Sequence, residues 1–80
     1  MISINELSRV LNSSEWRVKH KFVLNKSIEI NMPYQEKIIF IRQDIDEHLT
    51  LTVWTKKNGT ERELKYKTIN GILRKIKKEL

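Results

Sequence analysis

The chain has 80 residues, sixteen Lys or Arg against ten Asp or Glu, a net charge of +6 and no Cys. That length makes one small domain, 1–80, and the lack of Cys excludes disulfide staples, thiolate metal sites and cysteine nucleophiles. No apolar run approaches the roughly 20 residues that span a bilayer, and the first residues lack a signal peptide's basic and apolar regions, so a cytoplasmic protein with no membrane partner is expected.

Residues 3–12 read as a helix. Ser3 and Glu6 have capping-box spacing, and Ile4, Leu7, Val10 and Leu11 form one apolar stripe. Trp16 to Leu24 alternates with period two and reads as a strand, with Trp16, Val18, His20, Phe22 and Leu24 on one face. A three-residue loop over Asn25-Lys26-Ser27 would set Leu24 opposite Ile28, Phe22 opposite Ile30 and His20 opposite Met32. Pro33-Tyr34 breaks the chain again.

Ile38-Ile39-Phe40-Ile41 is a continuous apolar run, short enough for a strand with both faces covered. Leu49 to Thr55 alternates, with Leu49, Leu51 and Val53 on one face and Thr50, Thr52 and Trp54 on the other. Asn58-Gly59 predicts a type I′ hairpin that pairs Val53 with Leu64, Leu51 with Tyr66 and Thr52 with Lys65. Thr68 is placed to cap a final helix whose stripe is Ile69, Ile72, Leu73, Ile76 and Leu80, with Arg74, Lys75 and Lys78 opposite and Lys77 flanking. The expected class is α+β: an N-terminal helix, four or five antiparallel strands, and a basic amphipathic C-terminal helix, with both helices on one sheet face.

The element order resembles that of double-stranded-RNA-binding domains. The resemblance stops at order, because Thr68-Ile69-Asn70-Gly71 stands where that family has a Lys-rich helix start, and no family is assigned.

Charge is the most directional signal. Residues 56–80 hold nine Lys or Arg against three Glu, while the first 55 residues balance at seven against seven. An AT-rich genome inflates Lys overall but does not place the surplus at one end. The expected function is a small, non-catalytic nucleic-acid-binding protein, of the kind a phage or mobile element carries. Single- and double-stranded partners stay equally open. Lys56, Lys57, Lys65, Lys67, Arg74, Lys75 and Lys78 would meet phosphates, and Trp54 would stack on a base.

The other reading is an inhibitor or adaptor docking on an acidic protein partner. Two large apolar residues of 38–41 must fall on the second sheet face. If Ile38 and Phe40 point inward, the row is Ile39, Ile41 and Trp54; with reversed parity it is Ile38 and Phe40. Ile39, Ile41 and Trp54 are taken as the partner interface, and a homodimer through such a face is expected of so small a chain.

No catalytic site is nominated. His20 sits at an apolar position and reads as a satisfied packing residue. Neither His20 nor His48 has a nucleophile and a carboxylate at recognisable spacing, and both Gly are isolated. Asp44, Asp46, Glu47 and His48 read as a polar loop, not an EF-hand, so no metal and no cofactor is expected.

Overall fold

A computed structural model describes residues 2–24, 26–45 and 48–80; Asn25 of the predicted turn and Asp46 and Glu47 of the acidic loop lie outside them. The order is α1 (Ile4–Leu11), β1 (Lys21–Leu24), β2 (Ser27–Met32), a 3₁₀ turn (Pro33–Gln35), β3 (Lys37–Gln43), β4 (Leu49–Thr55), β5 (Gly59–Thr60), β6 (Leu64–Tyr66) and α2 (Ile69–Glu79). The antiparallel sheet runs β1-β2-β3-β4, and β5 and β6 both pair with β4, as two pieces of one interrupted strand. The α+β class and the helix–sheet–helix order are as the sequence predicts.

Local chemistry fixes the helix starts. Ser3 Oγ accepts from the Glu6 N–H, and Thr68 Oγ1 accepts from the Gly71 N–H, so each helix begins on a hydroxyl that satisfies an orphan donor. Gln43 Oε1 accepts from the Ile4 N–H and ties α1 to β3. Ile4, Leu7 and Leu11 of α1, and Ile72, Leu73 and Ile76 of α2, join Ile28, Ile30, Ile39, Ile41, Leu49, Leu51 and Val53 in one core. Both helices therefore lie on the same face of the sheet. Burying a side chain of this size contributes about 1.5–3 kcal/mol.

Three expectations are corrected. First, the extended run does not start at Trp16. The chain turns through residues 13–17, Arg17 adopts a left-handed φ of 48°, and the Val18 N–H returns to the Leu11 carbonyl. The helix must be followed by a tight return to the sheet, and that turn overrides the period-two pattern. Trp16 packs against the core from the turn.

Second, the β1–β2 connection is two residues, not three. Lys21 lies opposite Glu29 and Phe22 opposite Ile28, with a bulge between Phe22 and Leu24. The bulge absorbs the parity conflict that a regular two-residue hairpin would create. Lys21 and Glu29 close an ion pair at 3.1 Å.

Third, the last hairpin slips by two residues. Leu51 pairs with Leu64, Leu49 with Tyr66 and Thr50 with Lys65. The loop is Lys56-Lys57-Asn58, and Gly59, at φ 73°, is the left-handed residue after it rather than the second residue of a type I′ turn. The two-residue slip leaves each β6 side chain on its predicted face, so these faces hold while the neighbours change.

Candidate nucleic-acid interface and the opposite sheet face

The two helices leave the other side of the sheet uncovered, and this divides the predicted site residues. On β3, Ile39 and Ile41 point into the core and are 0% exposed. They cannot serve as the predicted interface: Ile39 lies opposite Ile30 and Val53, and Ile41 opposite Ile28 and Leu51, all core positions. The reversed parity holds. Ile38 and Phe40 occupy the open face, with Ile38 directly opposite Trp54 and Phe40 opposite Thr52.

Trp54 does not stand beside Lys65. Its neighbours across the strands are Ile38 and Thr60, while Lys65 lies opposite Thr50. Four residues along β4 separate the two rows, about 13 Å at strand rise. The register slip undoes the stacking platform.

The open face carries an ionic frame. Lys21 pairs with Glu29, and Arg42 donates to Asp44 and to Glu63 at 3.0 and 3.1 Å. The Thr50 hydroxyl donates to Asp44. That bond, working against partial burial and helped by Arg42, holds the Asp44 carboxyl below the ordinary carboxylate range. The two carboxylates in turn raise the Arg42 guanidinium further.

The lysines of α2 also separate. Lys75 Nζ lies 3.2 Å from Glu79, which also takes Lys37 at 3.1 Å. All three side chains are mostly buried. Burial pushes the Glu79 carboxyl up, but the bonds from Lys37 and Lys75 outweigh it and its pKa falls. Lys75 is thus a structural latch between α2 and β3, and it is removed from the predicted phosphate contacts.

Arg74, Lys77 and Lys78 point away from the core and are exposed, as is Lys67 just before the helix. None of the four has a carboxylate within 4.0 Å among the described residues. Lys77 and Lys78 follow Arg74 by three and four residues, so each neighbours it on the helix surface, about 5–6 Å between Cβ atoms. Lys77, read from sequence only as a flank, completes this row; its exposure depends on how α2 rolls onto the sheet, which periodicity leaves open by one position.

Lys56 and Lys57 sit at the hairpin tip. The Lys56 N–H donates to the Glu36 carbonyl, and its ammonium approaches Glu36 at 3.9 Å. Gln35 donates to the Leu80 carbonyl, so the tip and the α2 C-terminus share one end of the molecule.

Between the helices runs a groove of about 780 Å³, lined by Lys67, Arg74 and Lys77 on the α2 side and by Glu6, Glu15, Val10 and Trp16 on the α1 side. Its two walls are of opposite sign. Lys67, Arg74 and Lys77 thus face Glu6 and Glu15 across the groove, beyond ion-pair distance, and the two carboxylates weaken the field inside it.

His20 is fully engaged, as expected. Its Nδ1 lies 2.8 Å from the Val18 carbonyl and so carries the proton, and its Nε2 lies 2.6 Å from Ser8 Oγ. Among the described residues no group of His, Asp and Glu is arranged to hold a metal ion. No helix among them is long and apolar enough to cross a membrane.

The architecture defines an α+β class in which two helices cover one face of an antiparallel sheet. Beyond that class no protein family, curated protein or solved structure matches the chain.

Proposed function

We propose that this chain is a non-catalytic nucleic-acid-binding protein that meets the phosphate backbone with the outward side of α2. The observation that carries this reading is the set Lys67, Arg74, Lys77 and Lys78, four exposed cations with no carboxylate within 4.0 Å among the described residues. The cations seated near the strands and on the inner side of α2 (Lys21, Lys37, Arg42, Lys75) are neutralised in ion pairs. Uncompensated charge in a row attracts a polyanion, and releasing its counterions supplies the free energy. Lys57, at the end of the molecule shared with the α2 C-terminus, extends the row.

Contacts of this kind position a backbone and carry no sequence information. Binding is therefore sequence-independent. Trp54, on the far side of the sheet, takes no part, and the stacking role expected from sequence is withdrawn. An acidic protein partner at Ile39 and Ile41 is withdrawn too, because both are core.

Anisotropy titration of labelled single- and double-stranded oligonucleotides across a salt series tests the proposal. Four phosphate contacts give a slope of log Kobs on log salt of about −3.6 for duplex and about −2.8 for single strands. Arg74→Gln and Lys78→Gln each remove about one unit of slope, and Lys75→Gln none. No binding at low salt overturns the proposal.

A further inference from the structure

We infer that the open face of the sheet is the seat of a second copy of this chain, packed sheet against sheet. This rests on the composition of that face and not on the proposed nucleic-acid function.

The face has an apolar centre. Ile38 lies across from Trp54, and Phe40, two residues along β3 from Ile38, is 40% exposed. Val23, 49% exposed, and Phe40 border a dent of about 190 Å³ with Thr50 and Thr52. Such a dent receives one large apolar side chain. Four residues of this kind on a domain this small form a patch that water leaves costly.

Charge selects the occupant. Around that centre stand Lys21, Arg42 and Lys65, with Lys19 beside Lys21 at the edge, against the carboxylates Glu29, Asp44 and Glu63. Four cations against three carboxylates leave the patch close to balance within a chain of net charge +6. A nearly balanced frame offers little net attraction to a polyanion or to an acidic partner. A two-fold interface, in contrast, must be complementary to itself, and a surface with both signs at its rim satisfies that condition. The geometry also removes the cost of joining two basic molecules. Sheet-to-sheet packing puts the two α2 rows on opposite outer faces, with two sheets and two helix layers between them. That separation is several times the roughly 8 Å Debye length at physiological salt.

Area sets the class of interface. The strands hold four, six, seven and seven residues, and β5 with β6 five, which at about 3.4 Å per residue and about 4.8 Å between strands present roughly 470 Å² per copy. Two copies bury roughly 950 Å², below the range of stable specific interfaces, so the pairing is weak and reversible. Paired sheets at about 10 Å would interdigitate Phe40 of one copy with the dent of the other.

Sedimentation velocity of the full chain from about 1 µM to about 1 mM at 150 mM salt tests this. A reversible monomer–dimer equilibrium is expected. Phe40→Glu should weaken it at least tenfold with an unchanged circular dichroism spectrum, and Arg74→Glu on the far side should leave it unmoved. If Phe40→Glu fails to fold, Thr52→Lys, its neighbour across the strands, makes the same test. A monomer at every concentration overturns the inference. So does a dimer that survives both open-face variants, or one abolished only by Phe22→Lys, which would mark edge-to-edge pairing through β1.

Discussion

The two sides of this molecule handle charge in opposite ways. On the open sheet face Lys21 and Arg42 are held in ion pairs, and the apolar side chains Ile38, Phe40 and Trp54 lie between the pairs. On the helical side the outward cations of α2 have no ion-pair partner among the described residues, while Lys75, turned toward the sheet, is held by Glu79. One chain thus presents a nearly balanced, partly apolar face and a basic one. Pairing, and not the number of lysines, decides which face can attract a polyanion.

The sharpest test of the two-sided layout uses neighbours on β3. Ile39→Asp buries a charge in the core and should leave no folded protein. Ile41→Ala should cost about 2–5 kcal/mol, as large-to-small core changes do. Ile38→Thr, on the open face, should stay within about 1 kcal/mol. Urea unfolding measures all three. Equal losses at Ile38 and Ile41 would mean that the faces are not distinct.

A next step removes the basic side alone. The triple change Arg74→Gln, Lys77→Gln and Lys78→Gln should reduce the salt slope of oligonucleotide binding from about −3.6 to about −1, by anisotropy. Lys21→Gln and Lys65→Gln should leave the slope nearly unchanged. A slope that depends on the sheet lysines would merge the two faces into one.

Acid separates the sides through their carboxylates. Asp44 on the sheet face and Glu79 under α2 both have lowered folded pKa values, against ordinary values of 3.8 and 4.5. Each binds its proton less readily folded than unfolded, so its stabilisation is complete above the ordinary value and is lost as pH falls through the lowered one. Thermal melts from pH 7 to pH 2.5 should fall most steeply below about pH 4.5. Glu79→Gln should flatten part of that fall, and a profile unchanged by Glu79→Gln contradicts the latch.

The smallest expected effects are at the helix starts. Thr68→Ala and Ser3→Ala should each cost about 1 kcal/mol in denaturant melts, because each leaves a first-turn N–H without its hydroxyl. Loss of the Thr68 cap should weaken the basic side without changing the sheet face.

Much of the fold was legible because local chemistry and periodicity agreed. Ser3 and Thr68 both cap where their spacing placed them, and the stripes of both helices are the buried residues Ile4, Leu7, Leu11, Ile72 and Ile76. The faces of β4 and β6 were legible because parity survives a two-residue slip. The register was not, because Gly59 with φ 73° suits either turn and only the longer loop leaves Leu64 opposite Leu51. The parity of Ile38 to Ile41 was undecidable in a run with no polar residue to mark a face. Pairing with Ile28 and Ile30, 9 to 13 residues away, settles it. The candidate site was legible in part. Arg74, Lys78 and Lys67 fall on the basic side. Lys75 was lost to Glu79, a partner four residues away that itself required Lys37 from another strand. Trp54 was lost to a register that sequence alone misplaced.

In the proposed layout the helical side, and not the sheet face, meets nucleic acid. An NMR titration of the labelled protein with a short oligonucleotide at low salt tests it most directly. Amide shifts are expected to concentrate from Lys67 to Leu80, with Ile38, Phe40 and the Trp54 indole unmoved. Shifts centred on Ile38, Phe40 and Trp54, with the α2 amides unchanged, would contradict it.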